Sequence, residues 1–292
     1  MIITNQQILL NGRCHSQNGA VINLNNRAFL YGDCISERLH ACAGRLCFFD
    51  EHIENLIAAM KIAGMDIPEK LTVEREAFGE EISKMLVKNK VFKGATVKII
   101  VFRSESDGFL PRNNGVEYAV TIDVLPQTGF DFNRDGLWIS VYDEFKKYPS
   151  PFWNYDTHEN SLLKIRAMKS MPINEKVDDV ILLNHNGNWA ESVVSGSVFI
   201  LKDKVVYTPP LSEGARDDVF RRKVIQVLTE SGYKVECETP VTEELASKAE
   251  EIFLGSVSTG IRWVGAYKRR RFYRTLGQQT ANAVNHLYQN AE

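Results

Sequence analysis

The apolar positions of this chain change period several times, and each change marks a new element. Residues 7–11 and 20–24 alternate or run apolar around Gly12 and Gly19, which predicts two strands separated by a turn. From Asp50 the period becomes helical. Ile53, Leu56, Ile57 and Met60 share one face, Asp50 can cap the start, and Gly64 with Pro68 ends the helix. A second helix is predicted from Thr72, with Phe78, Ile82, Met85 and Leu86 turned inward. Strands over 95–102 and 117–125 follow.

Pro126, Gly129 and the polar Asn133-Arg134-Asp135-Gly136 read as a linker. Beyond it the pattern predicts a strand over 137–142 and a helix over 161–171. Short strands come next at 180–183, 189–194, 198–201 and 205–207. They are punctuated by Asn186-Gly187, a hairpin signal, and by Lys202-Asp203-Lys204. A helix over 216–231, strands over 251–254 and 262–267, and a closing helix over 276–288 complete the chain. Such an order fits an α+β first domain followed by a larger, strand-rich one.

Composition narrows the function classes. The 292 residues are 44% apolar and 25% charged, enough to bury a full core. A formal net charge of -2 gives no electrostatic reason to expect nucleic acid or an anionic membrane as partner. No apolar stretch approaches membrane-spanning length. The opening residues lack the pattern of a signal peptide, so a cytoplasmic setting is expected. Five cysteines without a C-x-x-C pair, and six histidines without H-E-x-x-H or H-x-H spacing, indicate neither a disulfide framework nor a metal site. Lys268-Arg269-Arg270-Arg271 reads as a solvated edge or turn.

Five stretches then carry a resemblance. They are Asn26-Arg27-Ala28-Phe29-Leu30-Tyr31-Gly32-Asp33 with Glu37; residues 49–56, from Phe49-Asp50-Glu51-His52 to Leu56; residues 177–191, ending in Ala190-Glu191; Tyr207-Thr208-Pro209-Pro210-Leu211-Ser212-Glu213-Gly214; and residues 251–264. In this order and spacing the chain resembles the class IV, fold type IV, aminotransferases that use pyridoxal phosphate (PLP). That family includes branched-chain and D-amino-acid aminotransferases and aminodeoxychorismate lyase, and the last stretch looks most like the lyase branch. The resemblance implies an α+β fold with a small N-terminal α/β sandwich (1–125), a linker (126–135) and a larger C-terminal pseudo-barrel (136–292). It also implies a cofactor between the two domains and a homodimer that completes each site.

PLP chemistry needs a lysine for the imine, a carboxylate on the ring nitrogen, and a cup of donors for the phosphate. Counting from Asn186-Gly187 places Glu191 at the family's acidic position. Counting back from Val198-Phe199 places it one residue off, so an insertion near Ser195 and Gly196 is implied. The lysine position of the family's K-[ST]-x-N pattern falls on Thr157 in Thr157-His158-Glu159-Asn160, and threonine cannot form an imine. Lys164, the nearest alternative, is expected at the surface.

The implied phosphate cup is altered as well. The family's H-x-x-R-L reads His52-Ile53-Glu54-Asn55-Leu56, with Asn55 in place of the arginine. Its G-[IV]-[TM] turn reads Asp218-Val219-Phe220, where a carboxylate favours the helix start but would repel a phosphate by roughly 4 kcal/mol per close charge pair. At Gly255-Ser256-Val257 few hydroxyls remain. Cys34 reads as a small packed residue.

The resemblance leaves two functional expectations. One is a degenerate family member that binds an amino-acid-like or carboxylate metabolite, or serves as a dimeric scaffold. The other is a working PLP-dependent aminotransferase or 4-amino-4-deoxychorismate lyase that draws its amine from another residue. A lysine-independent catalyst built on His158, Glu159 or Tyr31 remains a third class.

Overall fold

The computed structural model describes residues 6–106, 108–148, 150–171 and 176–291, with all their side chains except those at positions 153, 154, 158 and 159. The chain divides into two compact units: residues 1–129 with 155–159 and 288–292, and residues 130–154 with 160–287.

The first unit holds β1 (Gln7–Leu10), β2 (Arg13–Ser16), β3 (Cys34–Cys42), β4 (Arg45–Leu46), β5 (Gly94–Arg103), β6 (Val116–Leu125) and the two-residue β8 (Asp156–Thr157). They form one sheet in the order β2-β1-β6-β5-β3-β4, with β8 paired to β3. After the short α1 (Arg27–Tyr31), helices α2 (Phe49–Ile62) and α3 (Arg75–Lys88) bury Ile53, Leu56, Met60, Phe78, Ile82 and Leu86 in one core with Leu39, Val97 and Val101 of the sheet.

Residues 20–24 form no strand, and Val21 and Leu24 remain 82% and 72% exposed. Asn11 and Gly12 both take left-handed φ (49° and 76°), so the chain reverses at once and β2 pairs with β1 earlier than the apolar pattern suggests. Asp50 does not cap α2. It lies in the first turn with Glu51, where a carboxylate favours the helix dipole. The helix expected from Thr72 starts at Arg75, because residues 69–71 form a separate 3-10 turn. Strand β3 escapes the pattern altogether, since Cys34–Cys42 is buried nearly throughout instead of alternating.

The second unit contains β7 (Leu137–Lys147), β9 (Asp179–Asn184), β10 (Trp189–Ser192), β11 (Ser197–Lys202), β12 (Val205–Tyr207), β13 (Lys234–Glu236), β14 (Glu251–Ser256), β15 (Gly260–Tyr267) and β16 (Arg270–Arg271). Their order is β10-β9-β7-β15-β14-β11-β12-β13, with β16 on β15. Strand β7 runs parallel to both its neighbours. Helix α4 spans His158–Lys169 and α5 spans Val219–Glu230, which starts later than the expected 216. Helix α6 is Glu243–Ser247 and α7 is Thr275–Gln289. Glu251 fixes the start of α7 by accepting the N–H groups of Leu276 and Gly277, at 3.0 and 3.1 Å. No helix among the described residues is long and apolar enough to cross a membrane, and none of their His, Cys, Asp and Glu side chains cluster as a metal site would need.

Candidate functional site

Glu191 is the centre of the second unit's polar chemistry. It sits on β10, where the register against β9 shifts between Trp189 and Glu191. That shift leaves Ala190 without an opposite residue, a β-bulge that re-aims the side chains around it. Trp189 packs into the apolar core against the Tyr267 ring, while the Glu191 side chain, 1% exposed, meets two amines. Lys147 Nζ donates to Oε1 at 2.7 Å and Lys164 Nζ donates to Oε2 at 3.0 Å. Lys147 also donates to the Gly214 carbonyl at 2.7 Å and is itself 0% exposed.

Burial alone would raise the Glu191 carboxyl, but the positive charges of Lys147, Lys164 and Arg216 outweigh it and hold the group at about 2. Burial pushes the Lys147 amine down, further than the Glu191 carboxylate lifts it, with Lys164 and Arg216 adding to the fall. The pair is therefore ionised, with an amine that gives up its proton more readily than an exposed lysine does.

The loop after β10 is closed on a buried carboxylate. Asp179, fully buried, accepts Ser192 Oγ at 2.6 Å, Val194 N at 3.0 Å and Ser195 N at 2.9 Å, and Gly196 bridges back to Ser192.

The turn into α5 is equally well filled. Asp218 caps the helix by accepting Arg221 N at 2.8 Å. Val219 is fully buried and Phe220 is 1% exposed. The Phe220 ring meets Phe130 edge-on at 5.6 Å, and it lies so close to Gly255 that a Cβ there would come within 2.7 Å of it. Ser256 shares a 2.9 Å hydrogen bond with Thr259, and Val257 beside it is half-buried.

The first unit holds the remaining candidates. Thr157, half-buried, is on β8 opposite Ile35 of β3. Asn55 is 8% exposed and donates to Glu37 Oε2 at 2.9 Å. His52 Nδ1 lies 2.6 Å from Glu37 Oε1, so each oxygen of that carboxylate is engaged. Tyr31 is 42% exposed, with its ring edge-on to Phe109 at 5.6 Å and the Arg27 guanidinium 4.9 Å from its centroid. Burial raises the Cys34 thiol more than Lys98 lowers it, which suits a packed residue and not a nucleophile. The side chains of His158 and Glu159 lie outside the described residues.

Two residues thus enter the site against expectation. Lys164 is not a surface lysine, since it is half-buried on Glu191. Lys147 carries no signal of its own. It is the second lysine of Phe145-Lys146-Lys147-Tyr148, a stretch whose exposed neighbours read as a strand end. Only the long β7, reaching past its pairing with β15, carries Lys147 to Glu191.

Residues 35–267 match the family model for amino-transferase class IV. Over 253 residues the chain is 26% identical to an aminodeoxychorismate lyase of Bacillus subtilis, covering 86% of this chain and 83% of that one. Over 261 residues it is 22% identical to a D-alanine aminotransferase of Staphylococcus epidermidis, covering 87% and 86%. The fold superposes on a branched-chain aminotransferase of Thermoproteus uzoniensis with a TM-score of 0.86, at 19% identity over 98% of this chain and 96% of that one. This last likeness establishes the fold, type IV, and nothing finer.

Proposed function

The chain belongs to the class IV aminotransferase family, and we propose that it has left that family's PLP chemistry while keeping the scaffold. The observation that carries this reading is the state of Glu191. The carboxylate that a pyridinium nitrogen would need already holds an ammonium on each oxygen, one of them sealed from solvent. A PLP ring on Glu191 would have to part Lys147 from that carboxylate while its charge stays buried, at several kcal/mol.

The other cofactor positions support the same conclusion. Thr157 offers no amine at the imine position. At the start of α5, where a phosphate would be met, the Asp218 side chain takes the Arg221 N–H and Phe220 fills the space against Gly255. Asn55 spends its amide on Glu37. These residues do not fit the cofactor.

In this reading the protein binds an amino-acid-like or carboxylate metabolite, a ligand class that the positive charges acting on Glu191 from Lys147, Lys164 and Arg216 would favour. It works as a homodimer. The exposed Val21, Leu24, Phe29, Leu30, Phe109 and Leu110 of the first unit support that, since a lone chain in water seldom leaves so many large apolar side chains open.

Adding PLP to the purified protein and recording the visible spectrum tests the proposal. No imine band is expected even at millimolar PLP. A stable band that borohydride fixes to a single lysine overturns the proposal. One observation favours that second outcome: Lys147 and Lys164 bring two amines to Glu191, and a trapped peptide containing either would mark an active aminotransferase or lyase with a relocated lysine.

A further inference from the structure

Strand β7 outruns its neighbour. Strand β15 pairs with it only at Leu137, Trp138 and Ile139, whereas β7 continues to Lys147. The cause is local. Lys268 takes a left-handed φ of 51°, so the chain turns at once into β16, which pairs back onto β15. Over residues 140–146, nothing among the described residues pairs with the β15 side of β7, although its other side stays laddered to β9 through Tyr142.

An unpaired edge presents N–H and C=O groups and is a template for another strand. This one opens into a cavity of about 690 Å³, none of whose lining residues belongs to the Lys147–Glu191 group. Side chains alternate along a strand, so the two sides of the edge differ. Ile139 and Val141 face the apolar core with Leu183 and the Tyr267 ring. Trp138 and Ser140 face the other way, where the Arg271 guanidinium lies 4.4 Å from the Trp138 ring centroid and Lys176 Nζ 5.7 Å from it. Lys146 lines the cavity further along β7.

The charge there is positive. Glu243 accepts the Tyr267 hydroxyl and Lys268 Nζ, both at 2.6 Å, so its carboxylate is already matched. Asp178, outside the lining, accepts the Trp138 N–H at 2.8 Å. Asp143 is the other acid of the lining, set against Lys146, Lys176 and the stacked Arg271. Neither Lys146 nor Lys176 holds a carboxylate among the described residues.

We infer that this edge docks an extended acidic segment of a partner protein, added to β7 as one more strand. A peptide supplies alternating N–H and C=O groups at the rise of about 3.3 Å per residue that such an edge requires. Pairing over residues 140–142, with one residue beyond on each side, takes about five residues. Alternation on the added strand sends every second side chain to Val141, Leu183 and Tyr267, and the others to Lys176 and Arg271. The segment recognised therefore alternates apolar and acidic residues. Edge lysines alone would only deter aggregation, but here apolar and aromatic walls make the edge a groove. A second copy of this chain is disfavoured, since edge-to-edge pairing would bring together two copies of one cationic rim.

The probe is a capped pentapeptide of alternating glutamate and valine, titrated into the full chain. Amide hydrogen exchange, read by mass spectrometry, is expected to slow over residues 140–146 by about tenfold at saturation. Reversing two exposed charge contacts in the double variant Lys146→Glu with Lys176→Glu should weaken binding by about tenfold, and added salt should weaken it too. Neither lysine is buried, so the variant keeps its fold. On the unaltered chain, a lysine–valine peptide of the same length should not bind. No binding of the acidic peptide, binding without protection of residues 140–146, equal binding of the lysine–valine peptide, or the same protection by an RNA oligonucleotide overturns the inference. So does protection of these amides that rises with protein concentration when no peptide is present, because a second copy would then hold the edge.

Discussion

Lys147 and Glu191 stand 44 positions apart in the sequence and 2.7 Å apart in space, both sealed from solvent. Two ions removed from water together are tolerated only when each satisfies the other, so neither can be altered alone without consequence. The same relationship ties the strand end of β7 to the bulge in β10, two elements on either side of β9.

Lys147→Met should therefore destabilise the protein by about 3 kcal/mol, since Lys164 still neutralises part of the stranded charge. The double variant Lys147→Met with Glu191→Leu should recover most of that loss, because the buried ion pair is replaced by apolar volume. Urea unfolding of the two single variants and the double variant measures the coupling. A single-variant cost under about 1 kcal/mol would show that the pair is only loosely engaged.

Acid stability follows from Glu191. Its carboxyl titrates at about 2 in the folded chain against an ordinary 4.5. A depressed carboxylate contributes stability that is complete above the unfolded value and is lost as pH falls towards the folded one. For this group the contribution is about 3 kcal/mol, lost between roughly pH 5 and pH 2. Urea midpoints across that range should fall steeply for the natural chain and less steeply for Glu191→Gln. Equal slopes would place the acid sensitivity elsewhere.

Thr157→Lys alone should give no aminotransferase or lyase turnover. On the proposed reading neither phosphate position is restored by the change, since Asn55 donates to Glu37 and Asp218 caps α5. Assays with branched-chain amino acids, D-alanine and aminodeoxychorismate are decisive. Turnover in that single variant would mean that the phosphate cup retains more capacity than its hydrogen bonds suggest.

Gly255→Ala should cost about 1–3 kcal/mol, because its methyl would meet the Phe220 ring at 2.7 Å and Ile261 at 3.0 Å. Pairing it with Phe220→Leu should restore part of the loss by removing the obstructing ring edge. Thermal melts of the three variants test whether Phe220 occupies the turn. A tolerated Gly255→Ala would show that the ring swings aside.

The family and the order of most helices and strands were legible in the residues alone. A motif is a local string, and amphipathic helices such as α2 and α3 display their buried face as a period. Strand β3 was not legible, because its burial on nearly every residue erases the alternation that marks a strand. Nor was the β2 hairpin, where the left-handed Asn11-Gly12 turn prevailed over a longer apolar run.

What surrounds Glu191 was settled by folding. The reach of β7, the bulge at Ala190 and the course of α4 bring Lys147 and Lys164 to one carboxylate from separate stretches of chain. A lysine's identity in the sequence carries no record of its burial. Its charge acquires a role only when folding removes the water around it and supplies a carboxylate in return.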